Sequence, residues 1–243
     1  MLKSGTIQRV ALETVQEAFP HMEGMRVLDV GAGKGDLVSE LAGAGACTTA
    51  LEFAPASLPG TKVVTHDLNL GTLPFDSGSF DVVVATEVLE HLRMQYAILR
   101  ELVRVLVPGG LLILTIPNYW NLQYRIRYLL TGNFQRSLLD DPANKEAYLS
   151  GLAPHINAIP YPILKAVLTW EGCVDFRLRS AKRFRWGQIL VYAPFCILIL
   201  LATIFTSGKR RAALLLNETN GSPALLGRRH ILISCRKQAA PAP

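Results

Sequence analysis

The residues with the most chemistry stand in VLDVGAGKGD, positions 27–36. A short apolar run leads into a glycine-rich turn and then a helical pattern. That order presents backbone N–H groups to a nucleotide-like ligand at a helix N-terminus. A dinucleotide turn would read G-x-G-x-x-G; Gly31 and Gly33 fit it, but Asp36 stands where the third glycine belongs. The phosphate-cradling G-x-x-x-x-G-K-[ST] is absent from these positions. What stands here is D-x-G-x-G, with Asp29 two residues before Gly31. A carboxylate there favours a cationic amino acid group over a pyrophosphate. Glu52 ends the next apolar run, where an acidic side chain can take ribose hydroxyls, and Asp67 follows the third, where it can meet an adenine amino group.

A second group lies in Glu87-Val-Leu-Glu90-His91. On a helix these three side chains share one face, at i, i+3 and i+4. They can hold a divalent metal or orient a base. They can equally cap and brace the helix, with Glu87 against a cofactor's backbone.

These residues need a scaffold that brings successive strand ends together. Apolar runs at 25–30, 47–51, 62–65, 80–85 and 111–116 read as strands. Helical patterns at 6–19, from Asp36 to the stop at Gly43 and Gly45, and at 87–106 alternate with them. Several strands are apolar throughout, which calls for a parallel sheet covered on both faces. Beyond it, 161–170 reads as a helix, and 173–179 and 229–235 as strands. The expected fold is α/β.

Composition agrees with a large core: of 243 residues, 50% are hydrophobic and 18% charged, which excludes disordered and fibrous classes. The four cysteines form no CxxC pair, so they read as isolated thiols in a reducing compartment. Positions 1–10 are polar, so no secretory signal is expected. The net charge of +6 hides an asymmetry. From Arg177 onward there are twelve bases and one acid, Glu218; the remainder holds 13 bases and 18 acids. A basic tail on an acidic body calls for a polyanionic partner.

With these motifs in order, the chain resembles the class I S-adenosylmethionine-dependent methyltransferases. VLDVGAGKG is similar to their first motif, LEF to the second, HDL to the adenine-side motif and FDVVVATEVLEHL to the fourth-strand motif. LRELVRVLVPGGLLILTIPN is similar to the helix and strand that follow, so the likeness covers about residues 20–118. It implies a Rossmann-like, doubly wound seven-stranded sheet whose last strand is antiparallel, forming one domain over 1–243. It implies that Asp29, Gly31, Ala32, Gly33 and Gly35 surround the methionine and ribose part of S-adenosylmethionine. Glu52 would hold the ribose diol, Phe53 and Leu68 would sandwich the adenine beside Asp67, and His66 and Thr86 would complete the cofactor-binding set. The ExxEH element resembles that of ubiquinone-pathway O-methyltransferases and small-RNA 2′-O-methyltransferases, where a further histidine completes a metal site. His155 is the counterpart here, so Glu87, Glu90, His91 and His155 are the candidate divalent-metal ligands. Glu87, His91 and His155 are also the candidate catalytic groups without metal.

Two stretches lie outside a minimal sheet of this kind. The lid or acceptor insertion, 118–160, interleaves Tyr119, Trp120, Tyr124, Tyr128 and Phe134 with Arg125, Arg127 and Arg136. Aromatics with cations suit sugar rings, nucleobases or a membrane interface; an ordinary lid helix explains them too. Its order resembles methyltransferases found with cell-surface glycan assembly. The second insertion, 181–227, contains 18 uncharged positions at 189–206. That length can cross a bilayer, but strands on both flanks that pair in one sheet must lie on one side, and Pro194 is expected to break the helix early. Lys182, Arg183, Arg185 and Trp186 precede the run and Lys209, Arg210 and Arg211 follow it, which suits a headgroup layer.

The resulting expectation is a cytoplasmic enzyme, peripheral on the inner face of the cell membrane. It would methylate oxygen on a lipid-linked sugar or other amphipathic acceptor, with an anionic membrane surface as partner and a homodimer contact as the rival use of the apolar run. A soluble quinone or natural-product acceptor, an RNA 2′-hydroxyl, and a binding protein that keeps the cofactor fold are the competing readings. The tail's bases flank an apolar run instead of alternating with stacking aromatics, which disfavours nucleic acid.

Overall fold

The computed structural model describes residues 2, 6–133, 145–146, 149, 159–181, 186–227 and 229–239. RVLDV forms β1 (Arg26–Val30), and its last four residues are buried. The other strands are β2 (Cys47–Glu52), β3 (Lys62–Thr65), β4 (Phe80–Ala85), β5 (Leu106–Pro117), β6 (Cys173–Arg179) and β7 (His230–Lys237). They make one sheet in the order β3-β2-β1-β4-β5-β7-β6. The first five are parallel, while β7 pairs antiparallel with both β5 and β6. This is the Rossmann-like α/β sheet with an antiparallel last strand that the sequence motifs imply.

Helices cover both faces, because central parallel strands have no polar side to give to water. On one face lies α1 (Ile7–Ala18), started by Thr6, whose hydroxyl accepts the Arg9 N–H at 3.2 Å. It packs Ile7, Ala11, Leu12 and Val15 against Val27, Val82 and Ile113, beside Leu37 and Leu41 of α2 (Asp36–Gly43). On the other face, α3 (Gln95–Val105) brings Ile98, Leu99 and Leu102 onto Leu28, Val83 and Leu112.

The segment 87–106 departs from the single helix its apolar spacing suggests. Glu87 has φ +57, Leu89–His91 is one 3₁₀ turn, and α3 begins only at Gln95. Left-handed backbone at Glu87 stops a helix before it can start. The fifth strand is also longer than 111–116, since Leu106 already pairs with Phe80.

After β5 come α4 (Leu122–Thr131) and α5 (Tyr161–Trp170); between β6 and β7 come α6 (Trp186–Phe205), α7 (Gly208–Ala213), α8 (Leu216–Thr219) and α9 (Ser222–Leu225). Pro194 does not break α6, contrary to the sequence expectation: the helix continues through it. A proline removes one i to i−4 hydrogen bond, and here the packing of the following turns on the domain offsets that loss. Tyr192, Cys196 and Ile199 pack with Leu122 and Ile126 of α4 and with Leu225 and Leu226. One turn on, Asn220 Nδ2 donates to Thr203 Oγ1 at 2.7 Å. The stripe 192, 196, 199, 203 therefore lies along the domain. Among the described residues, no helix is long and apolar enough to cross a membrane.

Arg125 is the main tie between α4 and this insertion. Its Nε donates to the Trp120 carbonyl at 2.7 Å, Nη1 to Asn220 Oδ1 at 2.6 Å and Nη2 to the Thr219 carbonyl at 2.5 Å. Burial pushes its pKa down from the usual guanidinium value. So this cation of the aromatic-basic stretch is used inside the fold and is not offered to a ligand. Arg125→Ala strands two carbonyls and an amide oxygen; it should lower stability by about 2–4 kcal/mol in urea unfolding. A loss under about 0.5 kcal/mol would show that the tie carries no weight. Glu218, the single acid of the basic tail, anchors the same insertion to α5 by accepting from Tyr161 Oη and, at 2.5 Å, from Lys165 Nζ.

Candidate functional site

The order β2-β1-β4 places a topological switch between β1 and β4, where ligands bind outside the carboxyl ends of strands. Asp29 ends up there by register, beside Ala50 of β2 and Val84 of β4. It is 2% exposed, and its Oδ1 has no hydrogen-bond partner. Burial, reinforced by the Glu52 carboxylate, raises its pKa to about 8. A buried carboxyl left unpaired is costly in a fold that has no use for it.

The turn that follows depends on its glycines. Gly31 has φ +72, and a Cβ there would stand 2.5 Å from Val88 Cγ2. Gly35 has φ +75 at the start of α2, and a Cβ there would meet Leu58 Cδ2 at 2.7 Å. Ala32 accepts the Gly35 N–H at 2.9 Å and closes the loop. At Gly33, by contrast, a Cβ would meet nothing within 4 Å. The turn thus packs tightly on the protein side and opens at Gly33.

Glu52, at the end of β2, accepts the Gly33 N–H through Oε1. Phe53 next to it is exposed. His66 lies one step beyond β3, with its N–H on the Glu52 carbonyl at 2.9 Å and Nε2 against the Thr72 carbonyl at 2.8 Å. Asp67 caps the short turn Leu68–Leu70 by accepting the Asn69 N–H at 2.9 Å. Thr86 is buried at the end of β4. Asp29, the glycines, Glu52 and the 66–67 pair are thus gathered along one sheet edge. Leu68 is buried and packs into the core cluster with Leu73, while Phe53 is exposed.

The acceptor-side cluster is built differently from the sequence expectation. Glu87 is pinned in its left-handed conformation by its N–H, which donates to Thr115 Oγ1 of β5 at 2.7 Å. Glu90 is 2% exposed, and neither carboxylate oxygen has a hydrogen-bond partner. Burial raises its pKa, opposed by His91 and His230 and reinforced by Glu87. His91 is half-buried at the end of the 3₁₀ turn, and His155 lies outside the described residues. Among the described residues, no group of three or more His, Cys, Asp and Glu side chains is arranged to hold a metal ion. The proposed ligands Glu87, Glu90 and His91 do not share a helix face, because the backbone turns left-handed at Glu87.

The sequence reading missed His230. Its Nδ1 is 3.1 Å from Glu87 Oε1. Antiparallel pairing sets the first residue of β7 opposite Pro117, the last of β5, so His230 arrives at the carboxyl edge from the far end of the chain. A polar residue directly before the apolar run ILISC was the available signal.

Comparison with known proteins bears on this edge. Residues 28–114 match the family model described as "Methyltransferase domain". These residues carry the pattern of a methyltransferase domain. The chain is 33% identical over 114 residues to the ubiquinone biosynthesis O-methyltransferase of Bordetella avium, covering 43% of this chain and 47% of that protein. It is 39% identical over 107 residues to the protein of the same name from Xanthomonas oryzae pv. oryzae, covering 40% and 45%. The chain spans about half the length of these curated relatives. In fold, a SAM-dependent methyltransferase from Archaeoglobus fulgidus superposes with TM-score 0.58 at 15% identity, covering 95% of this chain and 94% of that one. The carboxyl edge of the sheet has residues that fit S-adenosylmethionine. The unpartnered Oδ1 of Asp29 suits the cofactor's ammonium group, and the open side of Gly33, whose N–H Glu52 accepts, leaves space beside it.

Proposed function

We propose that the chain is an S-adenosylmethionine-dependent methyltransferase that methylates an oxygen of an amphipathic acceptor, such as a lipid-linked sugar, at a membrane surface. The observation that carries the cofactor part is the buried Asp29 carboxyl, whose Oδ1 has no hydrogen-bond partner, at the start of the glycine turn. When bound, the cofactor supplies an electrophilic methyl group on sulfur. The chain's own work is to hold the cationic end with Asp29, the ribose with Glu52 and the acceptor oxygen in line.

Two observations support the acceptor class. The relatives' names include O-methyltransferase. The outward face of α6 is apolar, with Ile197, Leu198, Leu201, Ile204 and Phe205 exposed, and Lys209 and Arg210 follow it in α7. Such a face suits the boundary between lipid tails and headgroups, where a water-insoluble acceptor is found. The relatives' full name, ubiquinone biosynthesis O-methyltransferase, favours a second reading in which the acceptor is a quinone precursor.

Calorimetry with S-adenosylhomocysteine tests the cofactor, and micromolar binding is expected. Mass spectrometry of lipid and glycan extracts, treated with protein and S-adenosylmethionine, tests the acceptor. One species should gain about 14 Da, one methyl for one hydrogen, as the reaction chemistry requires. A product in the quinone fraction alone would select the second reading; no binding would defeat both.

A further inference from the structure

Glu87 and His230 come from segments more than a hundred residues apart and meet at the carboxyl edge of the sheet. Glu87 keeps a backbone conformation that is strained for any residue but glycine, and the Thr115 hydroxyl holds it there. Strain of this kind persists where the surroundings over-determine it, and it gathers at working sites. Its effect here is to aim a carboxylate at an imidazole. The Glu87 and His230 side chains are 44% and 21% exposed, so the pair is reached by solvent and is not sealed in the core. Nδ1 stands 3.1 Å from Glu87 Oε1, so a proton on Nδ1 faces the carboxylate and Nε2 is then the nitrogen that can take a proton.

Resting on the methyltransferase reading above, we propose that His230 is the base that receives the acceptor's hydroxyl proton, and that Glu87 is its positioning residue. The acceptor oxygen forms a bond to the methyl carbon of S-adenosylmethionine. The carbon–sulfur bond breaks, with its electron pair passing to sulfur, which becomes a neutral thioether. The hydroxyl proton goes to Nε2 and then to solvent. The Glu87 carboxylate orients the imidazole ring; Glu90 and His91, on the adjoining turn, are the other ionisable groups near the pair. A sugar or other alcohol hydroxyl needs such a base far more than a phenol does.

Two measurements test this. The first needs no turnover. At pH 8.5, long-range ¹H–¹⁵N spectra of the whole chain should show His230 as the Nδ1–H tautomer, and Glu87→Ala should shift it toward Nε2–H. The second uses tritiated S-adenosylmethionine with a solvent extract of membranes as acceptor pool. His230→Asn should lower kcat at least about 100-fold, with S-adenosylhomocysteine affinity changed less than about threefold. Added imidazole should restore part of the rate of His230→Ala, which a merely structural role would not allow. An Nε2–H tautomer in the unsubstituted protein overturns the proposal, as does a His230→Asn rate within about threefold of it. A protein that binds S-adenosylhomocysteine but labels nothing in the extract contradicts the acceptor reading instead, and the tautomer still decides the base.

Discussion

Asp29→Asn should weaken S-adenosylmethionine binding by about 10–100-fold while making the ligand-free protein more stable. The two effects have one origin. The carboxyl is buried, its Oδ1 is unpartnered, and its pKa is raised to about 8 by burial and then by Glu52. The fold favours the neutral acid. Its stabilising effect is complete below the unfolded value near 4 and is lost as pH rises through about 8. Asparagine resembles the neutral acid at every pH, so the variant should match the native chain near pH 4 and exceed it by roughly 2–4 kcal/mol at pH 8. Thermal melts of the ligand-free proteins from pH 4 to 9 measure this. A difference that did not grow across that interval would contradict the buried-acid account.

The cofactor's ammonium group reverses the preference, because a charge-assisted hydrogen bond to the ionised carboxylate contributes about 1.5–3 kcal/mol. Binding at pH 7 therefore expels close to one proton from the native chain and none from Asp29→Asn. Calorimetry in two buffers of different ionisation enthalpy reads that proton directly. Equal proton release in both proteins would place the titrating group elsewhere.

This part of the site was legible in the sequence because its chemistry is local. Asp29, Gly31, Gly33 and Gly35 lie on seven consecutive residues, and a strand that runs into a helix fixes their relation. Glu52 and Asp67 follow at the ends of the next strands, and parallel order brings strand ends together. The acceptor side was not legible, for two physical reasons. Apolar spacing from 87 to 106 reads as one helix, but the Thr115 hydroxyl, 28 residues away, holds the Glu87 N–H and so helps keep its backbone left-handed. A helix period cannot register a tertiary hydrogen bond. His230 reaches Glu87 only through the antiparallel register of β7 on β5, which pairs residues more than a hundred positions apart. Pro194 shows the opposite error: its local cost was read correctly, but Tyr192, Cys196, Ile199 and Thr203 dock α6 along the domain and outweigh it.

Leu198→Glu combined with Leu201→Glu should abolish flotation of the protein with vesicles of phosphatidylcholine and phosphatidylglycerol, while leaving S-adenosylhomocysteine affinity unchanged. The docked stripe of α6 leaves Ile197, Leu198, Leu201, Ile204 and Phe205 between 45% and 83% exposed. Exposed large apolar side chains clustered on one helix mark an interaction surface more often than chance exposure does. Arg211 turns back to donate to the Ile204 and Thr206 carbonyls, each at 3.0 Å, and so caps the helix end. Lys209 and Arg210 stay exposed beside it, where anionic headgroups add about 1 kcal/mol per base. Burying two carboxylates in that layer costs more than those bases contribute. Flotation should also weaken when phosphatidylglycerol is omitted or salt is raised, since the electrostatic share is screened. Flotation that persisted in the double variant would exclude this face. A concentration-dependent dimer in its place, lost in the same variant, would assign the face to a second copy of the chain.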